Sequence, residues 1–207
     1  MSLPASYFEP LYAADPDPWG FTRRWYEERK RAVTLASLPE PRYRRAYEPG
    51  CSIGVLTEAL ATRCDLLLAT DVSAAALVAA GRRLAGTTGV RLEQWAVPGD
   101  WPGGRFDLVV LSEVLYYLDD DDLWRTAVLA ATAVAPGGTL LAAHWRHPVA
   151  DYPQSGDAAQ SAVAEAAGSD GLVPLVHHHE DDFDLAVYRR PGGEVGGGSV
   201  AARSGLC

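Results

Sequence analysis

Tyr47-Glu48-Pro49-Gly50-Cys51-Ser52-Ile53-Gly54 reads as a buried strand that breaks into a glycine-containing turn and opens a helix. Arg45 to Glu48 finish the strand, Gly50 and Gly54 permit close backbone approach, and Ile53 to Thr62 runs at helical spacing through Val55, Leu56, Ala59 and Leu60. A helix start presents free N–H groups towards such a turn, which is where an adenosyl or dinucleotide cofactor sits. A pyrophosphate fingerprint would read G-x-G-x-x-G, whereas here the spacing is Gly50-x-x-x-Gly54, with Glu48 two residues before the first glycine. A carboxylate there would repel a pyrophosphate. It suits a cofactor whose nearby groups are donors or cations, such as the ammonium of a methionyl moiety, and so points to S-adenosylmethionine.

The segments after this turn alternate. Asp65-Leu66-Leu67-Leu68-Ala69-Thr70-Asp71 is a continuous apolar run ending in an acid, as in a buried parallel strand. The separation 71 − 48 = 23 residues fits a strand-helix-strand unit, and a carboxylate at the second strand's end accepts both hydroxyls of a ribose. Asp71 is also placed to cap the next helix, Ser73 to Leu84, although Ser73 is itself a good N-cap. Val90 to Ala96 alternates as a strand at a wetter sheet edge, and Phe106 to Leu111 is a fourth strand extended by Ser112 to Leu118. The acids Asp119 to Asp122 start a helix running through Leu123 to Val134, a turn follows at Ala135-Pro136-Gly137-Gly138, and Thr139 to Trp145 is the fifth strand. Asp157 to Ala167 is an amphipathic helix, and Pro174 to His179 with Phe183 to Tyr188 form a closing hairpin. Of the three consecutive histidines only His177 and His179 share a strand face, and with no third ligand at suitable spacing no metal site is expected. Ahead of the first strand, residues to Pro18 read as irregular, with a turn at Asp15-Pro16-Asp17-Pro18-Trp19. A helix from Phe21 to Leu38 places Phe21, Trp25, Val33, Leu35 and Ala36 near one face, as a lid over the cofactor or simply a cover for the sheet.

Alternating strand and helix ending in a hairpin implies an α/β chain with a mostly parallel sheet and helices on both faces. The run Glu48-x-Gly50-Cys51-x-x-Gly54 resembles the first motif of class I S-adenosylmethionine-dependent methyltransferases, with Ser52 standing where that family usually has its middle glycine. Ser112-Glu113-Val114-Leu115-Tyr116-Tyr117-Leu118 resembles its fourth motif, and the Pro136-Gly137-Gly138 turn is also similar. The resemblance implies a Rossmann-like fold of seven strands in the order 3-2-1-4-5-7-6, in one domain over residues 1–190 with a helical lid over 1–38. The Gly-rich segment 191–207 is expected to be disordered. Within that superfamily, Asp15-Pro16-Asp17-Pro18-Trp19, Tyr26-Glu27-x-x-Lys30, the fourth motif and His144-Trp145-Arg146-His147-Pro148 together resemble the nodulation protein S family. Its members N-methylate an amino sugar at the end of a chitin-like oligosaccharide.

These resemblances imply cofactor contacts from Trp19, Lys30, Glu48, Gly50, Cys51, Gly54, Asp71, Val72, Leu111 and Ser112. Many members end the third strand with an Asp for the adenine amine; that position is Ala96 here, so the contact is missing or falls to the main chain of Ala96 and Val97, while Trp95 or Trp101 either stacks on adenine or packs in the core. Glu113, Tyr116, His144 and His147 sit at strand ends beside the methyl group and are the catalytic candidates, Tyr116 and Tyr117 reading equally as core packing. A small-molecule O-methyltransferase would share every cofactor residue, and a non-catalytic S-adenosylmethionine-binding protein would retain the acids as well.

Composition bounds the acceptor. The chain has 207 residues, 48% hydrophobic and 22% charged, with a net charge of −9, which fits a soluble domain acting on a small molecule or oligosaccharide and not on nucleic acid or an anionic membrane. Lys30 is the one lysine, and Cys51, Cys64 and Cys207 show no paired spacing, as in a reducing cytosol. With no leader pattern and no apolar run of membrane-spanning length, a cytoplasmic location is expected.

Overall fold

The computed structural model describes residues 1–192 and 199–206. Strand β1 (Tyr43–Pro49) lies mid-sheet between β2 (Cys64–Asp71) and β4 (Phe106–Ser112) and runs parallel to both. With β3 (Val90–Gln94), β5 (Val134–Trp145), β6 (Val173–His179) and β7 (Phe183–Arg189), the sheet has the order β3-β2-β1-β4-β5-β7-β6, as expected. Only β7 runs antiparallel to its neighbours, β5 and β6. The chain order therefore reverses direction between β1 and β4, and the carboxyl ends of these strands open a crevice at the reversal.

Strand alternation builds one core on each face of the sheet. Tyr47, Val109, Leu111, Leu140 and Ala142 pack against α5 (Asp120–Ala133) and α6 (Gly156–Ser169), while Ala46, Leu108, Val110, Leu141 and Ala143 pack with Leu60 of α3 (Val55–Ala61) and with Tyr26 and Val33 of α2 (Trp25–Ser37). Asp119 accepts from the Asp122 N–H at 3.0 Å and Ser73 from the Ala76 N–H at 3.1 Å, capping α5 and α4 (Ala74–Arg83) as their sequences specify.

The N-terminal region departs from expectation. Ala5–Ala14 is a helix, α1, despite Pro10 inside it. Phe8 and Tyr12, one turn apart, bury against Ile53 and Ala76, and this packing outweighs the breaker. Helix α2 starts at Trp25 and not at Phe21, because Asp17 accepts the backbone N–H groups of Phe21 (2.8 Å) and Thr22 (3.0 Å) and holds them in a turn. Trp25, expected on the apolar face, is 71% exposed; the buried face carries Glu27, Lys30 and Thr34. β5 begins at Val134, with a register shift between Phe106 and Leu108 where the expected turn at 135–138 meets the sheet. Of the segment expected to be disordered, 193–198 and 207 lie outside the described residues. A short helix α7 (Val200–Arg203) is described there, and Arg203 pairs with Glu40 at 2.9 Å.

Gly156 opens α6 against the carbonyl of Trp145, and a Cβ at this position would lie 1.9 Å from that oxygen. Alanine normally favours a helix over glycine. Here Gly156→Ala is expected to destabilise by about 1–3 kcal/mol through overpacking, checked by urea unfolding.

Candidate active site

A cavity of about 770 Å³ opens beyond the carboxyl ends of β1, β2 and β4, roofed by α1, the Asp15–Arg24 turn and α2. Its floor is the turn leaving β1, where Gly50, Ser52 and Gly54 all adopt left-handed backbone, at φ 73°, 51° and 77°. A Cβ on Gly50 would sit 2.9 Å from Val114 Cγ2. Ser52 thus takes the conformation of the glycine it replaces, which costs a non-glycine residue roughly 1–2 kcal/mol. Two hydrogen bonds offset that cost: the Ser52 N–H donates to Asp71 Oδ2 at 2.8 Å, and its Oγ lies 2.6 Å from Tyr12 Oη. The Ser73 N–H fills Asp71 Oδ1 at 2.9 Å, so Asp71 ties the first turn to the second.

Two acids line this cavity, and their surroundings shift their carboxyls in opposite directions. Glu48 is 2% exposed, its Oε2 has no hydrogen-bond partner among the described residues, and burial, reinforced by the charge of Asp71, pushes its carboxyl up to about 8. Glu113 is also deeply enclosed, and burial alone would raise it. The ammonium of Lys30 at 2.7 Å, aided by the Tyr116 hydroxyl, outweighs that and holds the carboxyl below its ordinary range. Glu113 Oε2 accepts from Tyr116 Oη at 2.6 Å and from the Trp145 N–H at 2.9 Å. Three of its roughly four acceptor positions are therefore filled. The residue itself is held at φ 56°, a strained position of the kind found at functional sites.

Lys30 is buried between Glu113 and Glu27 (3.1 Å), and its Nζ lies 5.0 Å from the Tyr26 ring centroid. Burial pushes the Glu27 carboxyl up against the pull of Lys30. The single lysine, expected at a cofactor carboxylate, thus spends its charge on two protein carboxylates. Tyr26 also lines the cavity, and its Oη is buried without a hydrogen-bond partner among the described residues.

The structure brings Trp19, Lys30, Glu48, Gly50, Cys51, Asp71, Val72, Ala96, Val97, Ser112, Glu113 and Tyr116 onto the cavity wall. Gly54 lies just behind it as the N-cap of α3, and Leu111 is in the sheet core. The Ala96 N–H already donates to Asp100 Oδ2 at 3.1 Å, so this main-chain donor is taken. Trp95 lines the cavity, whereas Trp101 packs edge-on against Tyr47.

Neither histidine reaches the cavity. His144 is fully buried behind Tyr116, ring centroids 5.7 Å apart, and burial drops its pKa to about 4, so it is neutral. His147 is half exposed at the surface, 2.8 Å from Asp182. Strand-end position alone does not separate such residues from those on the wall.

Tyr12 and Tyr152 also line the cavity, as do Tyr26 and Glu27, which enter the sequence reading only through the family resemblance. For α2 a signal existed: Glu27, Lys30 and Thr34 recur at helical spacing and form a polar stripe. Nothing local marks Tyr152, whose ring stacks on Tyr116 at 5.0 Å.

The sequence profile of the family described as nodulation protein S (NodS) matches residues 10–165. The chain belongs to the NodS family. It is 36% identical to nodulation protein S of Rhizobium tropici over 131 residues, 62% of this chain and 55% of that protein, so it spans little more than half of that relative. To the Bradyrhizobium diazoefficiens protein it is 26% identical over 185 residues, 86% of this chain and 88% of the relative. Among solved structures, a methyltransferase from Pseudomonas syringae is 45% identical, with TM-score 0.71 over 81% of this chain and all (100%) of that one. The N-methyltransferase NodS of Bradyrhizobium japonicum, in complex with S-adenosyl-L-homocysteine, superposes with TM-score 0.78 at 25% identity, over 90% of this chain and 98% of that one. The seven-stranded order is that of class I methyltransferase structures.

The raised carboxyl of Glu48 has a thermodynamic signature. The folded state keeps a proton that the unfolded chain releases, so this group's contribution is fully present below its ordinary value of 4.5 and is lost as pH rises through about 8. Urea unfolding of the ligand-free protein from about pH 5 to about pH 8 should show wild type losing stability relative to Glu48→Gln. Lys30→Met leaves Glu113 and Glu27 buried without their cation and is expected to cost about 3–5 kcal/mol. Adding Glu113→Gln should recover part of that loss in the same assay.

Proposed function

We propose that this chain is an S-adenosylmethionine-dependent N-methyltransferase whose acceptor is the free amine of an amino sugar or related glycoconjugate. The observation that carries the proposal is a pair of enclosed acids on the cavity lining: Glu48, with a buried oxygen that has no partner among the described residues, and Glu113, held ionised by Lys30. The residues present fit the cofactor. Glu48 is an acceptor waiting for a cationic donor such as an amino-acid ammonium, and Asp71 at the end of β2 is placed for ribose hydroxyls. Gly50 lines the cavity, and its missing side chain leaves room for Val114 beside the turn.

S-adenosylmethionine supplies, when bound, a methyl group on a positively charged sulfonium. Alignment of the acceptor is then the protein's main task. The fourth acceptor position of Glu113 is suited to an amine N–H, and its negative charge draws an ammonium into the cavity. Burial first, and then the neighbouring Glu113 charge, push the Tyr116 hydroxyl well up, so it remains a donor that fixes Glu113 and takes no proton. Trp145, Tyr117 and Tyr152 line the same cavity and offer flat apolar faces to a sugar ring. An acid held below its ordinary range is a weak base. That favours an amine, which loses its proton readily, over an alcohol, which needs a stronger base.

The test is calorimetric binding of S-adenosylmethionine and S-adenosylhomocysteine, followed by methyl transfer to chitin-like oligosaccharides with and without a free terminal amine. Wild type should bind both, Asp71→Ala should bind at least about tenfold more weakly, and only the free-amine oligosaccharide should be methylated. Glu113→Gln should lower kcat/KM by about a hundredfold or more. A folded wild type that binds neither nucleoside would overturn the proposal.

A further inference from the structure

The closing hairpin carries a second constellation, on the α6 side of the sheet, that shares no lining residue with the large cavity. In β6, His177 and His179 point to one face, and His178 turns to the other, where its ring stacks on Phe183 at 5.2 Å. Within β6 there is no third ligand. The antiparallel pairing supplies one, because Asp184 of β7 is the register partner of His179 and shares the face of both imidazoles. His177 Nε2 lies 2.9 Å from Asp184 Oδ1 and His179 Nδ1 lies 2.8 Å from Oδ2, and the three ligand atoms fall within 4.8 Å of one another.

The anchor of the group is rigid and its arms are free. Asp184 is only 8% exposed, and its main-chain carbonyl accepts from Gln160 Nε2 at 2.6 Å, which ties it to α6. The side chains of His177 and His179 are 64% and 53% exposed and free to rotate. Ligand atoms about 2.0–2.2 Å from a tetrahedral ion lie roughly 3.3–3.6 Å apart, so small rotations of the two rings convert the present hydrogen bonds into a coordination shell. Arg146, a cation lining the adjoining cavity of about 420 Å³, is paired with Asp157 at 2.8 Å.

We propose that His177, His179 and Asp184 bind one divalent transition-metal ion, of which zinc is the probe of choice, with the remaining positions filled by water from the adjoining cavity. Two imidazoles and one carboxylate suit zinc and its first-row neighbours, and not calcium or magnesium, which prefer oxygen alone. The ion clips β6 to β7 at the sheet edge, and it does so whether or not the chain transfers methyl groups.

The test uses the full chain, free of any affinity tag and stripped with a chelator, titrated with zinc chloride by calorimetry and with cobalt(II) by visible absorption. One equivalent should bind, and the melting temperature should rise with zinc concentration. The cobalt spectrum should show d–d bands without a sulfur-to-metal charge-transfer band. Asp184→Asn and the double variant His177→Ala/His179→Ala should each weaken the affinity at least about tenfold, and the surface histidine variant keeps the test valid if the buried substitution impairs folding. Unchanged affinity in a folded double variant would overturn the proposal. So would a cysteine charge-transfer band, or no saturable binding by wild type.

Discussion

The hydrogen bond from the Ser52 N–H to Asp71 is the constraint on which the site depends. The chain leaving β1 must pass through three left-handed residues within five positions, and only two of them are glycine. Asp71 holds that turn in place from the end of the neighbouring strand, and Tyr12 holds it from above. The parallel pairing of β1 with β2 sets where the two strands end, so the sheet register places the carboxylate under the turn it supports. Shifting β2 by one residue would send Asp71 to the opposite face.

The cavity above this turn separates two carboxylates by environment. Glu48 is enclosed with no cation beside it, and burial keeps a proton on it through much of the neutral range. Glu113 is largely enclosed as well, its side chain 13% exposed, yet Lys30 keeps it charged. The same residue type therefore offers a neutral acid at one position and an anion at another. Within one cavity this makes the first responsive to an incoming cation and the second a fixed attractor for one.

Much of this was legible in local patterns. Glycine spacing, the acid two residues ahead of it, the apolar run ending in Asp71, the Ser73 cap and the acidic start of α5 each rest on short-range physics, and each appears where the sequence places it. Other readings changed on folding. The segment to Pro18 reads as irregular, Trp25 as part of an apolar face, and His144 and His147 as groups beside the reacting centre, yet α1 forms, Trp25 is exposed, and one histidine is walled off while the other is at the surface. For α1, packing of Phe8 and Tyr12 against Ile53 and Ala76, distant in sequence, outweighed the local preference.

The sequence by itself determined the order of strands and helices and the acids at the ends of β1 and β2, because periodicity and turn chemistry act over a few residues. Only the tertiary structure decided that the one lysine faces Glu113, 83 positions away, and that Asp184 closes a triangle with two histidines across a hairpin. Those distances are set by how helices settle on the sheet and how strands pair. Helical spacing marks the polar stripe on α2, but not which charge it meets across the fold.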